Sequence, residues 1–184
     1  EKISYEDFKK YDYLNLKNFT HICNCSIEKK YQKNRYSSPN DIDFKIIKKI
    51  ESLNIKYIFL SSRKVYYPKN NITEKSKCKP NCNYSKNKFI TESKVKKILP
   101  NQHLILRISN IIGKINKRNK HRKVSNIFIE NFYKFKKKKN IYYENFYKDF
   151  LSEKQFSGIF YKILKKNLKG TYNVSLGKKV FISE

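Results

Sequence analysis

Tyr57-Ile58-Phe59-Leu60-Ser61-Ser62-Arg63-Lys64-Val65-Tyr66 opens the stretch whose reading decides the fold, and His103-Leu104-Ile105-Leu106-Arg107-Ile108-Ser109-Asn110-Ile111-Ile112-Gly113 closes it. Both are short apolar runs that end in small polar residues, the pattern of buried strands. Between them, residues 83–98 carry Tyr84, Lys88 and Glu92 at four-residue spacing. On a helix that spacing puts all three side chains on one face. The order is therefore strand, loop with a hydroxyl, helix with a Tyr and a Lys one turn apart, strand. Such an order can build a proton-transfer site beside a nucleotide.

Working outward, Phe19-Thr20-His21-Ile22-Cys23-Asn24-Cys25-Ser26 reads as another short strand, and a short helical pattern precedes it around Tyr5 to Tyr13. Residues 28–40 read as a charged loop. Pro39 and Asn40 suit a helix start, and Asp41 and Asp43 suit its first turn. Ile42, Ile46, Ile47, Ile50 and Leu53 then recur at helical spacing. Strands alternating with helices of this size indicate an α/β fold, a parallel sheet with crossover helices. Ligands of such sheets bind outside the carboxyl ends of the strands, where Ser26, Ser62 and Asn110 lie. Beyond Gly113, residues 114–123 read as a basic loop, 125–135 as an amphipathic helix and 140–143 as a short strand. Residues 152–168 read as a helix stopped by Gly170, and 171–174 as a last strand.

The chain has 184 residues, no Ala, Met or Trp, 38 Lys against five Arg, and a formal net charge of +28. That length suits one domain with a sizeable core. Charge of this size ordinarily points to nucleic acid or an anionic membrane. Here the lysines spread along nearly the whole chain, and Lys, Asn, Ile, Tyr and Phe all have AT-rich codons. Mutational bias with a solvated surface therefore accounts for most of the charge. The absence of an initiating Met suggests a fragment or a processed chain. No apolar run approaches the ~18 residues of a membrane span, so a soluble, cytoplasmic protein is expected. Cys23 and Cys25 form a C-x-C, Cys78 and Cys82 a C-x3-C. Neither is the usual zinc spacing, so the cysteines read as small buried side chains and no metal site is expected.

A tyrosine hydroxyl is a poor base at its free pKa of about 10. A neighbouring ammonium favours the phenolate, and a nearby Ser hydroxyl can hold the substrate oxygen. Tyr84, Lys88 and Ser62 have these roles open to them. The Tyr-x-x-x-Lys spacing alone says little, because 15 Tyr and 38 Lys in 184 residues supply about three such pairs by chance and the chain has five. Context selects Tyr84, the one that follows a strand ending in Ser-Ser and precedes another strand.

These segments together resemble the extended short-chain dehydrogenase/reductase family, the nucleotide-sugar epimerases, dehydratases and reductases. Leu60–Tyr66, Pro80, Tyr84–Glu92 and Leu106–Gly113 match its motifs in order. Lys148-Asp149-Phe150 resembles its Arg-Asp-Phe segment, and Gly170-Thr171-Tyr172-Asn173-Val174-Ser175-Leu176-Gly177 its Gly-x-Tyr-Asn-Val-x-x-Gly. The resemblance spans roughly residues 19 to 184. It implies a Rossmann-like fold with a partial NAD(P)-binding region at 1–113 and an intertwined substrate-binding region at 114–184. Ser62, Tyr84 and Lys88 would be catalytic. Cys25, Ser26, Ile27, Tyr84, Lys88 and Ser109 would border NAD or NADP, and Ser62, Tyr84 and Asn110 the nucleotide sugar. The resemblance also leaves room for a homodimer.

The chain departs from the family in places. Its four glycines, Gly113, Gly158, Gly170 and Gly177, leave no Gly-x-x-Gly-x-x-Gly phosphate loop; that unit is expected upstream or lost. Asn87 stands where the family usually has Ser, and Glu153-Lys154-Gln155 replaces an acidic pair. Arg63-Lys64 follows Ser62 where 4,6-dehydratases carry Asp-Glu, so an epimerase or 4-keto-sugar reductase is expected rather than a dehydratase. The rivals are a non-catalytic fragment of the same fold and, more distantly, a lysine-rich nucleic-acid binder.

Overall fold

The computed structural model describes residues 1–113 and 147–181. The chain divides into two compact units, Glu1–Arg107 with Leu168–Asn173, and Ile108–Asn167 with Val174–Glu184.

The first unit is built on a sheet of β1 (His21–Cys23), β2 (Lys56–Ser62), β3 (His103–Ile108) and β7 (Gly170–Val174), in the order β1-β2-β3-β7. β1 runs parallel to β2, with His21 opposite Lys56 and Cys23 opposite Ile58. This is the α/β arrangement expected from the alternation of strands and helices, and the Rossmann-like one that the family resemblance implies. Tyr57, Ile58 and Phe59 are all buried, as are Leu104, Ile105 and Leu106. Burial on both faces explains why these strands read as continuous apolar runs rather than alternating ones. One face is covered by α4 (Ile42–Lys49) and α5 (Asn83–Ile98). There Ile46, Ile47 and Ile50 meet Val95, Leu99, Tyr57, Phe59 and Ile105 in a single apolar cluster.

Three local expectations change. The pattern around residues 5–13 resolves into two short helices, α1 (Tyr5–Lys10) and α2 (Tyr13–Leu16). Asp12 separates them, because its side chain accepts from Asn15 N at 2.8 Å and caps the second helix. The charged segment 28–40 holds a helix, α3 (Lys29–Lys33), and a 3-10 turn, Ser38–Asn40. Helical order is imposed there from outside. Tyr31 is buried, its hydroxyl lies 2.8 Å from Thr91 Oγ1, and Asn87 donates to the carbonyls of Tyr31 and Asn34. Asp41 proves to be the cap of α4 rather than a first-turn residue, accepting from Phe44 N at 3.0 Å.

In the second unit β4 (Asn110–Ile112) pairs in parallel with β6 (Phe150–Ser152), and β5 (Tyr147–Lys148) pairs antiparallel with β8 (Val180–Phe181). The helix Glu153–Lys165 begins at Ser152, which exchanges hydrogen bonds with Gln155 in a capping box. Asn167 (φ 49°), not Gly170, supplies the left-handed residue that ends this helix. Gly170 (φ 99°) instead starts β7. The basic loop, helix and strand expected at 114–123, 125–135 and 140–143 lie outside the described residues. Among the described residues no helix is long and apolar enough to cross a membrane.

Ile47, fully buried between α4 and the sheet, tests this core. Ile47→Ala should lower stability by about 2–5 kcal/mol, whereas Ile112→Ala, at an exposed position, should stay within about 0.5 kcal/mol. Urea unfolding midpoints measure both.

Candidate active site

The two serines that end β2 have different fates, because successive side chains of a strand point to opposite faces. Ser61 is buried on the helix side and donates to Glu92 Oε1 at 2.6 Å. Glu92, on α5, also holds Arg107 of β3: Nε lies 3.0 Å from Oε1 and Nη2 lies 2.6 Å from Oε2. The remaining arm of the guanidinium, Nη1, donates to Tyr66 Oη at 2.6 Å, and Tyr66 donates on to Asn173 Oδ1 at 2.9 Å. Burial works against the charge on Arg107, but Glu92 and Tyr66 outweigh it and hold the guanidinium ionised. Ser62 lies on the other side of the strand end, half-buried, and its Oγ accepts from Lys64 N at 3.3 Å. A hydroxyl that accepts there keeps its hydrogen free to donate.

Lys88 is buried on α5 and donates to the carbonyl of Leu60 at 2.9 Å. Its ammonium also stands 4.5 Å from the centroid of the Phe59 ring and 3.8 Å from Asp43 Oδ2. The lysine is thus fixed on β2 two residues before Ser62. Asp43, expected merely to favour a helix start, turns inward instead. Its Oδ1 accepts from the hydroxyl of Tyr57 at 2.6 Å and from Asn24 Nδ2 at 3.0 Å. Burial pushes its carboxyl above the ordinary carboxylate range, against the pull of Lys88, Tyr57 and Asn24.

Tyr84 sits half-buried in the first turn of α5, one turn before Lys88. Asn87, in the place of the expected Ser, is spent on the carbonyls of Tyr31 and Asn34 at 2.7 and 2.9 Å. At the carboxyl end of β1, Asn24 closes a tight turn by accepting from Ser26 N at 2.9 Å and donating to Ser26 O at 3.0 Å. Cys25 and Ser26 are exposed and Ile27 half-buried. Cys23, Asn24, Cys25 and Ser26 line a cavity of about 500 Å³, closed on another side by residues 1–5. The reading of the cysteines as buried side chains fails. Cys25 and Cys82 are exposed and Cys23 and Cys78 half-buried. The reason is local, since β1 ends at Cys23 and Cys82 occupies the turn that starts α5.

Ser109 and Asn110 belong to the second unit and are gathered there by Asp149. Ser109 Oγ donates to Asp149 Oδ1 at 2.9 Å and Asn110 Nδ2 to Asp149 O at 2.8 Å. The same carboxylate accepts from the backbone of Leu176 and Lys178 at 3.1 and 2.9 Å. Among the described residues no cluster of three His, Cys, Asp or Glu could hold a metal ion.

Sequence reasoning missed Asp43, the carboxylate that faces Lys88, and Asn24, which holds the turn after β1. Nothing in their spacing marks them, since an acidic residue in a first helical turn and an Asn after a strand are both common for local reasons.

A family model described as the NAD dependent epimerase/dehydratase family matches residues 19–175. No curated protein sequence matches the chain. Among solved structures, the UDP-N-acetylglucosamine 4-epimerase of Methanobrevibacter ruminantium M1, in complex with UDP-N-acetylmuramic acid, superposes with a TM-score of 0.66 at 23% identity over 79% of this chain and 50% of that one. The Bordetella bronchiseptica enzyme WbmG, in complex with NAD and UDP, gives 0.68 at 17% identity over 89% and 53%. The UDP-Glc/GlcNAc 4-epimerase of Campylobacter jejuni gives 0.70 at 20% identity over 98% and 63%. The chain therefore spans about half the length of the first two of these proteins, and at such identities the likeness is one of fold.

Two substitutions probe the buried charges. Glu92→Ala strands the Arg107 guanidinium and should cost about 3–5 kcal/mol in urea unfolding. Asp43 has a folded-state pKa above the 3.8 of a free carboxyl. Its contribution to stability is therefore full below that value and is lost as pH rises through the elevated one. The stability of the wild type relative to Asp43→Asn should fall as pH rises above about 4. A difference that stays flat or grows with pH would show that Lys88 outweighs burial at this carboxylate.

Proposed function

The chain belongs to the NAD-dependent epimerase/dehydratase family, and from that premise we propose that it carries the proton-transfer residues of a nucleotide-sugar epimerase or 4-keto-sugar reductase. The observation that carries this reading is the docking of Lys88 Nζ on the carbonyl of Leu60. It puts the ammonium of the Tyr-x-x-x-Lys helix and the hydroxyl of Ser62 at the same end of β2.

In this reading Tyr84 takes a proton from a sugar hydroxyl or returns one to the carbonyl oxygen. Lys88 carries positive charge one turn along the same helix. Ser62, its hydrogen uncommitted, donates to the reacting oxygen and holds it in line with Tyr84. Arg63 and Lys64 supply no carboxylate beside Ser62, which favours epimerisation or reduction over dehydration.

The residues present fit one half of a dinucleotide. Lys88 would hold the ribose, and Cys25, Ser26 and Ile27 would border the group at the carboxyl end of β1, where the cavity of about 500 Å³ opens. For Ser109 and Asn110 the family resemblance implies a cofactor-side and a substrate-side role. NAD(P), when bound, supplies the acceptor or donor of hydride. The pyrophosphate half has no counterpart among the four glycines of the chain, so affinity for the whole dinucleotide is expected to be modest.

Calorimetric titration of NADH and NADPH at about 150 mM salt, where surface charge is screened within about 8 Å, tests the binding part. Saturable binding that survives added salt and weakens in Lys88→Ala is expected. Binding that disappears as salt rises and ignores Lys88→Ala would mean that the lysine-rich surface alone holds the nucleotide. For turnover of a UDP-sugar, Tyr84→Phe should lower kcat by about 10²–10⁴-fold while leaving the dinucleotide titration measurable. Titratable binding without any turnover would favour the non-catalytic relative.

A further inference from the structure

The thiol chemistry of Cys23 and Cys25 is not used by the function proposed above, in which Cys25 serves only as a neighbour of the dinucleotide. The two cysteines stand two residues apart, Cys23 closing the β1 ladder at its pair with Ile58 and Cys25 in the turn just beyond it. Cys23 is half-buried and Cys25 exposed, and both line the cavity of about 500 Å³. The segment between them is clamped. Asn24 bonds to Asp43 Oδ1 at 3.0 Å and closes its turn onto Ser26. The result is one accessible thiol and a second, recessed one two residues away on the wall of the same cavity. Two residues of chain span at most about 7 Å, the outer edge of the Cα separation that a disulfide tolerates. The β1 ladder has ended at Cys23, so closing that distance requires only the Asn24 turn to give.

We propose that Cys23 and Cys25 form a thiol–disulfide exchange site, in which Cys25 attacks a small-molecule disulfide and Cys23 resolves the adduct.

The electrons and atoms balance in two exchanges. The Cys25 thiolate attacks one sulfur of the small disulfide, whose S–S bond breaks and whose other half leaves as a thiolate. Cys23 then gives up its proton and attacks the Cys25 sulfur. The mixed S–S bond breaks, a second small thiol leaves, and a Cys23–Cys25 disulfide remains. The protein dithiol is oxidised and the small disulfide is reduced.

The charges around the pair suit this division of labour. A thiol hydrogen bond from Cys23 favours the thiolate on Cys25 and brings its pKa down to about 6, against the opposing effects of burial and of the Asp43 carboxylate. The same bond, with burial and Asp43, raises Cys23, while Lys88 pulls the other way. Glu1, Lys2, Tyr5 and His21 also face the cavity. A low-pKa accessible thiol attacks, and a protonated one waits until the bond that holds its proton is broken.

The test uses the full chain with Cys78→Ser and Cys82→Ser, so that only this pair reports, and oxidised glutathione as the probe. At pH 6 the adduct should form at least about tenfold faster on the folded protein than on the urea-unfolded one. The gain in thiolate fraction exceeds the loss of intrinsic nucleophilicity that accompanies a lower pKa. Mass spectrometry should find the folded product short of two hydrogens, with no glutathione retained. Cys23→Ser and Cys23→Ala should both stop at the Cys25 adduct, and Cys25→Ser should leave Cys23 unmodified over the same time. A folded rate no greater than the unfolded rate at pH 6 would overturn the proposal. So would a wild-type product that keeps its glutathione, or an adduct at Cys23 in Cys25→Ser.

Discussion

The buried pair of Arg107 and Glu92 is the interaction on which the first unit depends. A guanidinium and a carboxylate removed from water are tolerated only when nearly every donor and lone pair has a partner. Here Nε and Nη2 face the carboxylate, Nη1 faces Tyr66, and Ser61 takes a further place on Glu92. The pair therefore ties α5, β2 and β3 at one point. Through Tyr66 it reaches Asn173 of β7, whose backbone is in turn held by Glu74 at 2.8 Å. No element of this set can slide by a residue without stranding a charge. Ser62, next to Ser61, takes its position chiefly from that constraint, with one further contact from Lys64 N.

Lys88 and Asp43 make a second buried pair of different quality. The separation of 3.8 Å is longer than a hydrogen bond, and burial still dominates the carboxyl of Asp43. Lys88 is positioned chiefly by the Leu60 carbonyl and the Phe59 ring. A cation held by a carbonyl and an aromatic face, with its carboxylate at a distance, stays available to act on a neighbouring group. A closed bidentate pair such as Arg107–Glu92 does not. The chain carries a formal net charge of +28, yet the charges that shape the candidate site are these few buried ones. The many surface lysines are a background that salt screens.

Much of this was legible in the chain. The strand at 103–108 lies where its apolar run put it, and the helix at 83–98 where the four-residue spacing of Tyr84, Lys88 and Glu92 put it, although its buried face is mostly polar. The choice of Tyr84 among five Tyr-x-x-x-Lys pairs came from its neighbours in sequence, and the fold places it on the helix that carries Lys88. Residues 28–40 were illegible because their helix is held by Tyr31, Thr91 and Asn87, contacts across more than fifty residues that no local window contains. Asp43 was read as a helix-start residue, which it is, but its side chain serves Tyr57, Asn24 and Lys88. Asn167 replaced the expected glycine as helix stop, since Asn also tolerates the left-handed conformation.

By itself the sequence determined the main order of strands and helices, the α/β class and the groups with chemistry to offer. Those follow from apolar periodicity and residue type, which are local properties. Only the tertiary structure decided which of two adjacent serines is consumed in the core and which faces outward, where the lysine's charge is held, and which cysteines are exposed. These depend on which face of a strand meets a helix, and on partners brought together from distant parts of the chain. A buried charge or thiol is defined by its surroundings, and the surroundings exist only once the chain has folded.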